Sequence, residues 1–397
     1  SMLRKKLKLT VMALMLAAIQ VICCMPVNAA TTSTATVRYI NTDFSLDNRE
    51  VLIKVMRTAN TLADIVGAEC TAVGGPYNAY YVNENGNVEL DHAVFNLYFS
   101  NGKRGIYKLG VPNNPNGLGG QGYIVDSDSD EFITEPHIII GNESVTYAVT
   151  ENSTTILDSN LVSESPSVIQ SNKALQAASG IGKKLIDVET SENVSWSLLN
   201  MKASTLGMTS LLSFTDHGIN VPNVDQTEGG QTTNCYFACV ASIVQYREPT
   251  VIGDLSVLDV QDDFLDIDPT YGRIEMITID DICDAMHELY LDSPSAVYHH
   301  NSHVSATSYS NPVSKTSYKS IIDNDCLMLA MFGSSTVNIH AVVMCKYREF
   351  TDGDIQGICM DPLNEDYVVI DWNNSGHLMF ELGFQDLYFR EMIINYS

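Results

Sequence analysis

Positive charge is scarce in this chain. Its 397 residues carry 22 Lys and Arg against 48 Asp and Glu, a formal charge of −26 at neutral pH. A surface of that sign repels phosphate backbones and anionic headgroups, which makes nucleic acid and lipid surfaces poor partners. Long apolar runs are missing beyond Met25, so no later segment is suited to span a membrane. None of the nine cysteines forms a C-x-x-C pair, which removes zinc sites of the usual spacing. Internal repeats and a phosphate-binding Walker loop are lacking as well. Apolar residues still make up 45% of the chain, enough for a packed core.

The N-terminus reads as a processing signal. Arg4, Lys5, Lys6 and Lys8 precede an apolar run over residues 9–25, and Val27-Asn28-Ala29-Ala30 offers the small residues of a cleavage site. Residues 1–30 are therefore expected to be a signal peptide, and the rest to act outside the cell. Removing them takes away four basic and no acidic side chains, moving the charge from −26 to about −30. Two cysteines leave with that segment. The odd number remaining means at least one unpaired thiol, unless a second chain is bridged.

Length gives a prior of about two to three domains. Residues 31–150 read as β-rich. A helix is expected over 48–66, with Val51, Val55, Thr58, Leu62 and Ile65 on one face. Alternation over 93–99, the Asn101-Gly102 turn and the run 106–109 predict a hairpin. Residues 111–122 read as a Gly/Asn/Pro loop. Residues 151–215 are polar and Ser-rich, with a short helical stretch at 172–178, and read as a linker. A second unit over 216–397 opens with a helix from Cys235 to Arg247, closed by Pro249 and apolar nearly all round. Thr278-x-x-Asp281 predicts a capped second helix through Ile282, Met286 and Leu289. Strands follow over 327–332, 337–347, 355–360 and 367–372. Helix first and sheet afterwards gives an α+β class, a central helix packed on an antiparallel sheet.

Three residues in that second unit have the character thiol chemistry needs. Cys235 opens the helix, where unpaired N–H groups and the dipole favour thiolate. His340 opens a strand, and Asp361 closes the next one. A tight turn at Asp352-Gly353 puts Asp361 opposite Met344, whereas a looser loop puts it opposite His340. The bland alternatives are a buried structural thiol and a core histidine bonded to backbone. Cys239, one turn deeper, is expected to pack rather than react. Other constellations are weaker. Asp126-x-Asp128-x-Asp130 has Glu131 where a calcium loop needs glycine. His299, His300 and His303 sit among loop-like residues, and Asp262, Asp263, Asp266 and Asp268 read as a charged surface. No metal or cofactor is expected.

Val221-Pro222-Asn223-Val224-Asp225-Gln226, the Asn-Cys-Tyr-Phe-Ala-Cys run from Asn234, His340-Ala341-Val342-Val343 and Asp361-Pro362 together resemble bacterial papain-like cysteine peptidases. The resemblance spans roughly residues 219–397 and is nearest in style to the bacteriocin-leader-peptidase group, with staphopain and streptopain more distant. It implies a papain-like domain with Cys235 as nucleophile, His340 as general base and acid, and Asp361 as orienting partner. It also implies an oxyanion glutamine, filled by Gln226 or Gln231, nine and four residues before the thiol. Tyr236 stands where a tryptophan is common. Without transporter helices or a Walker motif, leader processing is not implied. The expected substrate is a peptide or protein; the oligomeric state is not set. Transamidase, deamidase or amidase chemistry and a non-catalytic surface role are the alternatives. The N-terminal region is a candidate pro-segment, inhibitor or targeting module, so a chain begun near Asp216 is expected to be at least as active as the whole.

Overall fold

The computed structural model describes residues 45–82, 88–110, 117–125, 137–140, 143–150, 153–156, 193–227, 234–247, 249, 255–270, 279–290, 297–302, 313–333, 338–363, 366–382 and 385–396. The aspartates at 126–130, the stretch 172–178, Gln231, Thr278 and His303 lie outside them.

The first helix, α1 (Arg49–Val66), starts where Asn48 accepts the Glu50 and Val51 N–H groups, and stops at Gly67 in the left-handed region. Val51, Leu52, Val55, Met56, Ala59 and Leu62 recur every three or four residues and are fully buried. They pack on a meander of β1 (Cys70–Val82), β2 (Val88–Phe99), β3 (Arg104–Gly110) and β4 (Gly120–Val125). The β2–β3 hairpin turns at Gly102, as its Asn-Gly signal predicts. The expected 111–122 loop is shorter than read, because 120–122 belong to β4. Gly122 looks like loop composition but meets α1 closely: a Cβ there would lie 2.4 Å from Thr58 Cγ2. Strands β5 (His137–Ile140), β6 (Glu143–Thr150) and β7 (Ser153–Ile156) extend the sheet beyond β1, with β1–β5 its parallel pair.

The expected linker carries β7 and, over residues 193–215, further structure. β8 (Val194–Ser195) pairs with β1, α2 (Trp196–Thr205) buries Leu199 and Ala203 against the α1 core, and β9 (Phe214–Gly218) pairs with a later strand. A helix that buries only two side chains leaves a polar pattern, and the serines that suggested a linker include its N-cap, Ser195.

In the second unit come α3 (Cys235–Arg247), α4 (Val257–Ile267), α5 (Ile279–Tyr290), β10 (Val297–Ser302) and α6 (Lys315–Asp323). Asp262, Asp263 and Asp266 ride on α4, which a Ser256–Asp259 capping box opens. His299 and His300 lie in β10, paired with the C-terminal strand, and not in a loop. Then follow β11 (Leu327–Gly333), β12 (Asn338–Phe350), β13 (Ile355–Asp361), β14 (Asp366–Ile370), β15 (Met379–Leu382) and β16 (Gln385–Tyr396).

The fold is mixed α+β on a mostly antiparallel sheet in the order β10-β16-β11-β12-β13-β14-β4-β3-β2-β1-β5-β6-β7. The β14–β4 pairing, Val369 with Gly122 and Ile370 with Gln121, carries it from the second unit into the first without a break. β12 is its hub: β11 and β9 follow one another along it, and β13 pairs with it as well. Ala341, Val343 and Cys345 pack in the core around α3, while Val342 and Met344 join the core on the other face. Among the described residues no helix is long and apolar enough to cross a membrane.

Candidate active site

Cys235 is the first residue of α3, and Asn234 prepares it. The Asn234 carbonyl accepts the Ala238 N–H at 3.0 Å, and its side-chain amide donates to Gln261 Oε1 of α4 at 3.4 Å. Residues 235–244 are all buried, so the sulfur sits in a dry first turn whose N–H groups have no intrahelical acceptor. Cys239 is one turn deeper. Burial pushes its thiol well above the ordinary range, and the neighbouring Cys235 and Asp361 add to the effect. It stays protonated and packs.

His340 is the third residue of β12 and Asp361 the last of β13. The hairpin pairs Glu349 with Ile355 and, after an irregularity between Met344 and Lys346, Val343 with Met360. One more step sets Asp361 beside Val342, between the two registers the sequence allowed. By alternation His340 and Asp361 then share a face, and the side chains meet diagonally. His340 Nε2 lies 2.7 Å from Asp361 Oδ1, and the same carboxylate oxygen accepts the Leu363 N–H at 3.0 Å.

The Cys235 thiol is near enough to the imidazole to act on its proton affinity. Because Nε2 is engaged by Asp361, Nδ1 is the nitrogen left for sulfur. Burial pulls the imidazolium pKa down, but the Asp361 charge and hydrogen bond, with those of Cys235, outweigh it and raise the value to about 10. Cys235 belongs to the core under α3, whereas the His340 ring lies tilted against Phe380 of the opposite core, 5.1 Å between centroids. Cys235 and His340 are each 2% exposed and Asp361 is fully buried.

Gln226 is buried, and its N–H donates to the carbonyl of Pro362, the residue after Asp361, at 3.1 Å. Cys70, Cys235, Cys239, Cys283, Cys326, Cys345 and Cys359 are all free and buried. Among the described residues no cluster of His, Cys, Asp or Glu could hold a metal. Sequence reasoning quoted Asn234 as part of a motif without its place as the residue before the helix, and missed Phe380, which carries no local signal. A free thiol, an imidazole and a buried carboxylate bonded to it are the residue types that acyl transfer through sulfur requires. No family model matches the chain, and no curated protein matches it either.

Proposed function

We propose that this protein is an exported, papain-like cysteine peptidase that hydrolyses peptide bonds in peptides or proteins. The observation that carries it is the His340 imidazole, bonded to Asp361 at 2.7 Å and close enough to Cys235 for the two to share a proton. A nucleophile-bearing helix packed on an antiparallel sheet that bears the other two residues supports the papain-like part.

In the reaction, Cys235 has passed its proton to His340, and the thiolate sulfur attacks the scissile carbonyl and forms the S–C bond while the carbonyl electron pair moves to oxygen. The Cys235 N–H and the Gln226 side-chain amide serve as its donors. His340, already protonated at neutral pH, gives its proton to the leaving amine as the C–N bond breaks. Water then attacks the thioester, His340 takes its proton, and the sulfur leaves. Asp361 holds the ring throughout.

An iodoacetamide probe with mass spectrometry tests the reading. At neutral pH it should label one residue, Cys235. Cys235→Ala should abolish labelling and Cys239→Ala should retain it. Peptide-library digestion should yield free carboxyl termini. Transfer of the acyl group to added amines in their place points to a transamidase, and label on Cys239 or Cys70 removes the assignment.

A further inference from the structure

Resting on the peptidase reading, we infer that Tyr367 is a positioning residue that sets the oxyanion side of the site through the strap carrying Gln226. The strap, residues 219–227, belongs to no helix or strand, so no ladder fixes its path. Three attachments hold it to the sheet. At its start the Ile219 N–H donates to the Cys345 carbonyl at 3.0 Å, and at its end the Gln226 N–H donates to the Pro362 carbonyl at 3.1 Å. Between them stands one phenol. Tyr367 Oη accepts the Val221 N–H at 3.0 Å and donates its own proton to the Val221 carbonyl at 3.0 Å. A single oxygen thus satisfies both backbone groups of a residue that is only 5% exposed.

The location of that oxygen gives it consequence. Tyr367 pairs with Met360 across β13 and β14, and Met360 immediately precedes Asp361. The phenol therefore gauges the distance between the strand that ends in the orienting carboxylate and the strap that delivers the glutamine. Val221 and Val224 pack into the core around Cys235, so a strap released at Val221 shifts against the thiol as one piece. Burial raises the Tyr367 pKa, which keeps its O–H intact as a donor. The Lys346 ammonium, 5.1 Å from the ring centroid, holds the ring from the side.

Tyr367→Phe keeps the ring and removes the oxygen. A positioning role predicts a loss of about tenfold in kcat with KM little changed. Affinity for a peptide aldehyde should fall by the same factor, because its hemithioacetal oxygen needs the same donors. The rate of Cys235 alkylation by iodoacetamide, which builds no oxyanion, should stay at the wild-type value. On a Gln226→Ala background Tyr367→Phe should add nothing, since the phenol acts through that side chain. If Tyr367→Phe does not fold, Val224→Ala loosens the same strap from its apolar side and should show the same split. Alkylation falling together with aldehyde affinity, additive losses in the double variant, or no loss at all overturns the inference while the peptidase reading stands. A wild-type chain that is neither alkylated at Cys235 nor able to cleave any peptide overturns both.

Discussion

A histidine that is 2% exposed is ordinarily neutral at pH 7, since burial disfavours its charged form. In His340 the Asp361 and Cys235 contacts reverse that and hold the pKa near 10, against a usual 6.5. A folded-state pKa raised in this way stabilises the fold fully below about pH 6.5, and the contribution disappears as pH rises through about 10. On a Cys235→Ala background, Asp361→Asn should therefore cost on the order of 3 kcal/mol at pH 6 and much less at pH 11. Denaturant titrations at the two pH values measure it, and a cost independent of pH removes the ion pair. In the otherwise wild-type protein, the peptidase reading predicts that the same substitution lowers kcat by a factor on the order of 10⁴. Cys235, His340 and Asp361 were legible in the sequence because each sits where an element begins or ends, where short-range pattern is strongest. Phe380 and Tyr367 were not, because their roles rest on contacts between segments that show no periodic relation to one another.

At the scale of elements, the helix and the hairpin were legible and their exact fit was not. The apolar run after Cys235 announced a buried helix, and the strand flanks of Asp352-Gly353 announced a hairpin. The irregularity at Met344 to Lys346 could not be read, since nothing in an apolar strand marks where an extra residue falls. The same spot receives β9. Gly218 ends that strand at φ +100°, and a Cβ on it would lie 2.3 Å from the Cys345 carbonyl oxygen. Gly218→Ala should then cost about 3 kcal/mol, from strained backbone and displaced β12 together. Gly207 has φ +66° but open space around it, so Gly207→Ala should cost only about 1 kcal/mol. Urea unfolding of the pair separates the two effects, and equal losses would mean that the close approach of β9 to β12 does not constrain the fold.

Across the whole molecule, the sequence suggested two units with a dispensable first one, whereas the sheet and the buried cations tie them together. Arg348 of β12 has a side chain 3% exposed and donates to Asp216, to Asp64 at 2.8 Å and to Thr61 at 3.2 Å. Arg57 of α1 reaches the other way, to Asp352 at 2.8 Å and Asp354 at 3.2 Å beside the β12–β13 turn. Burial would raise the Asp354 carboxyl, but Lys54, Lys315 and Arg57 hold it below its ordinary range. Gln356 donates to Thr58, and Tyr107 donates to Asp371 at 3.0 Å. The hydrogen-bonded partners that join the two units lie 264 to 298 residues apart, so no spacing rule could pair them. Stranding one partner of a buried charge costs about 3–5 kcal/mol, and a typical domain has only about 5–15 kcal/mol to lose. A chain begun at Asp216 strips Arg348 of Asp64 and Thr61, removes Arg57 from the hairpin turn and bares the edge of β14 that β4 covers. Such a chain should fail to melt cooperatively and should not show selective labelling of Cys235. Adding residues 45–215 as a separate piece should restore both, the reverse of what an inhibitory pro-segment does. Calorimetry and alkylation on the two pieces decide between them: a truncated chain that melts at the midpoint of the full one, and is slowed by the added piece, would make the first unit an appendage after all.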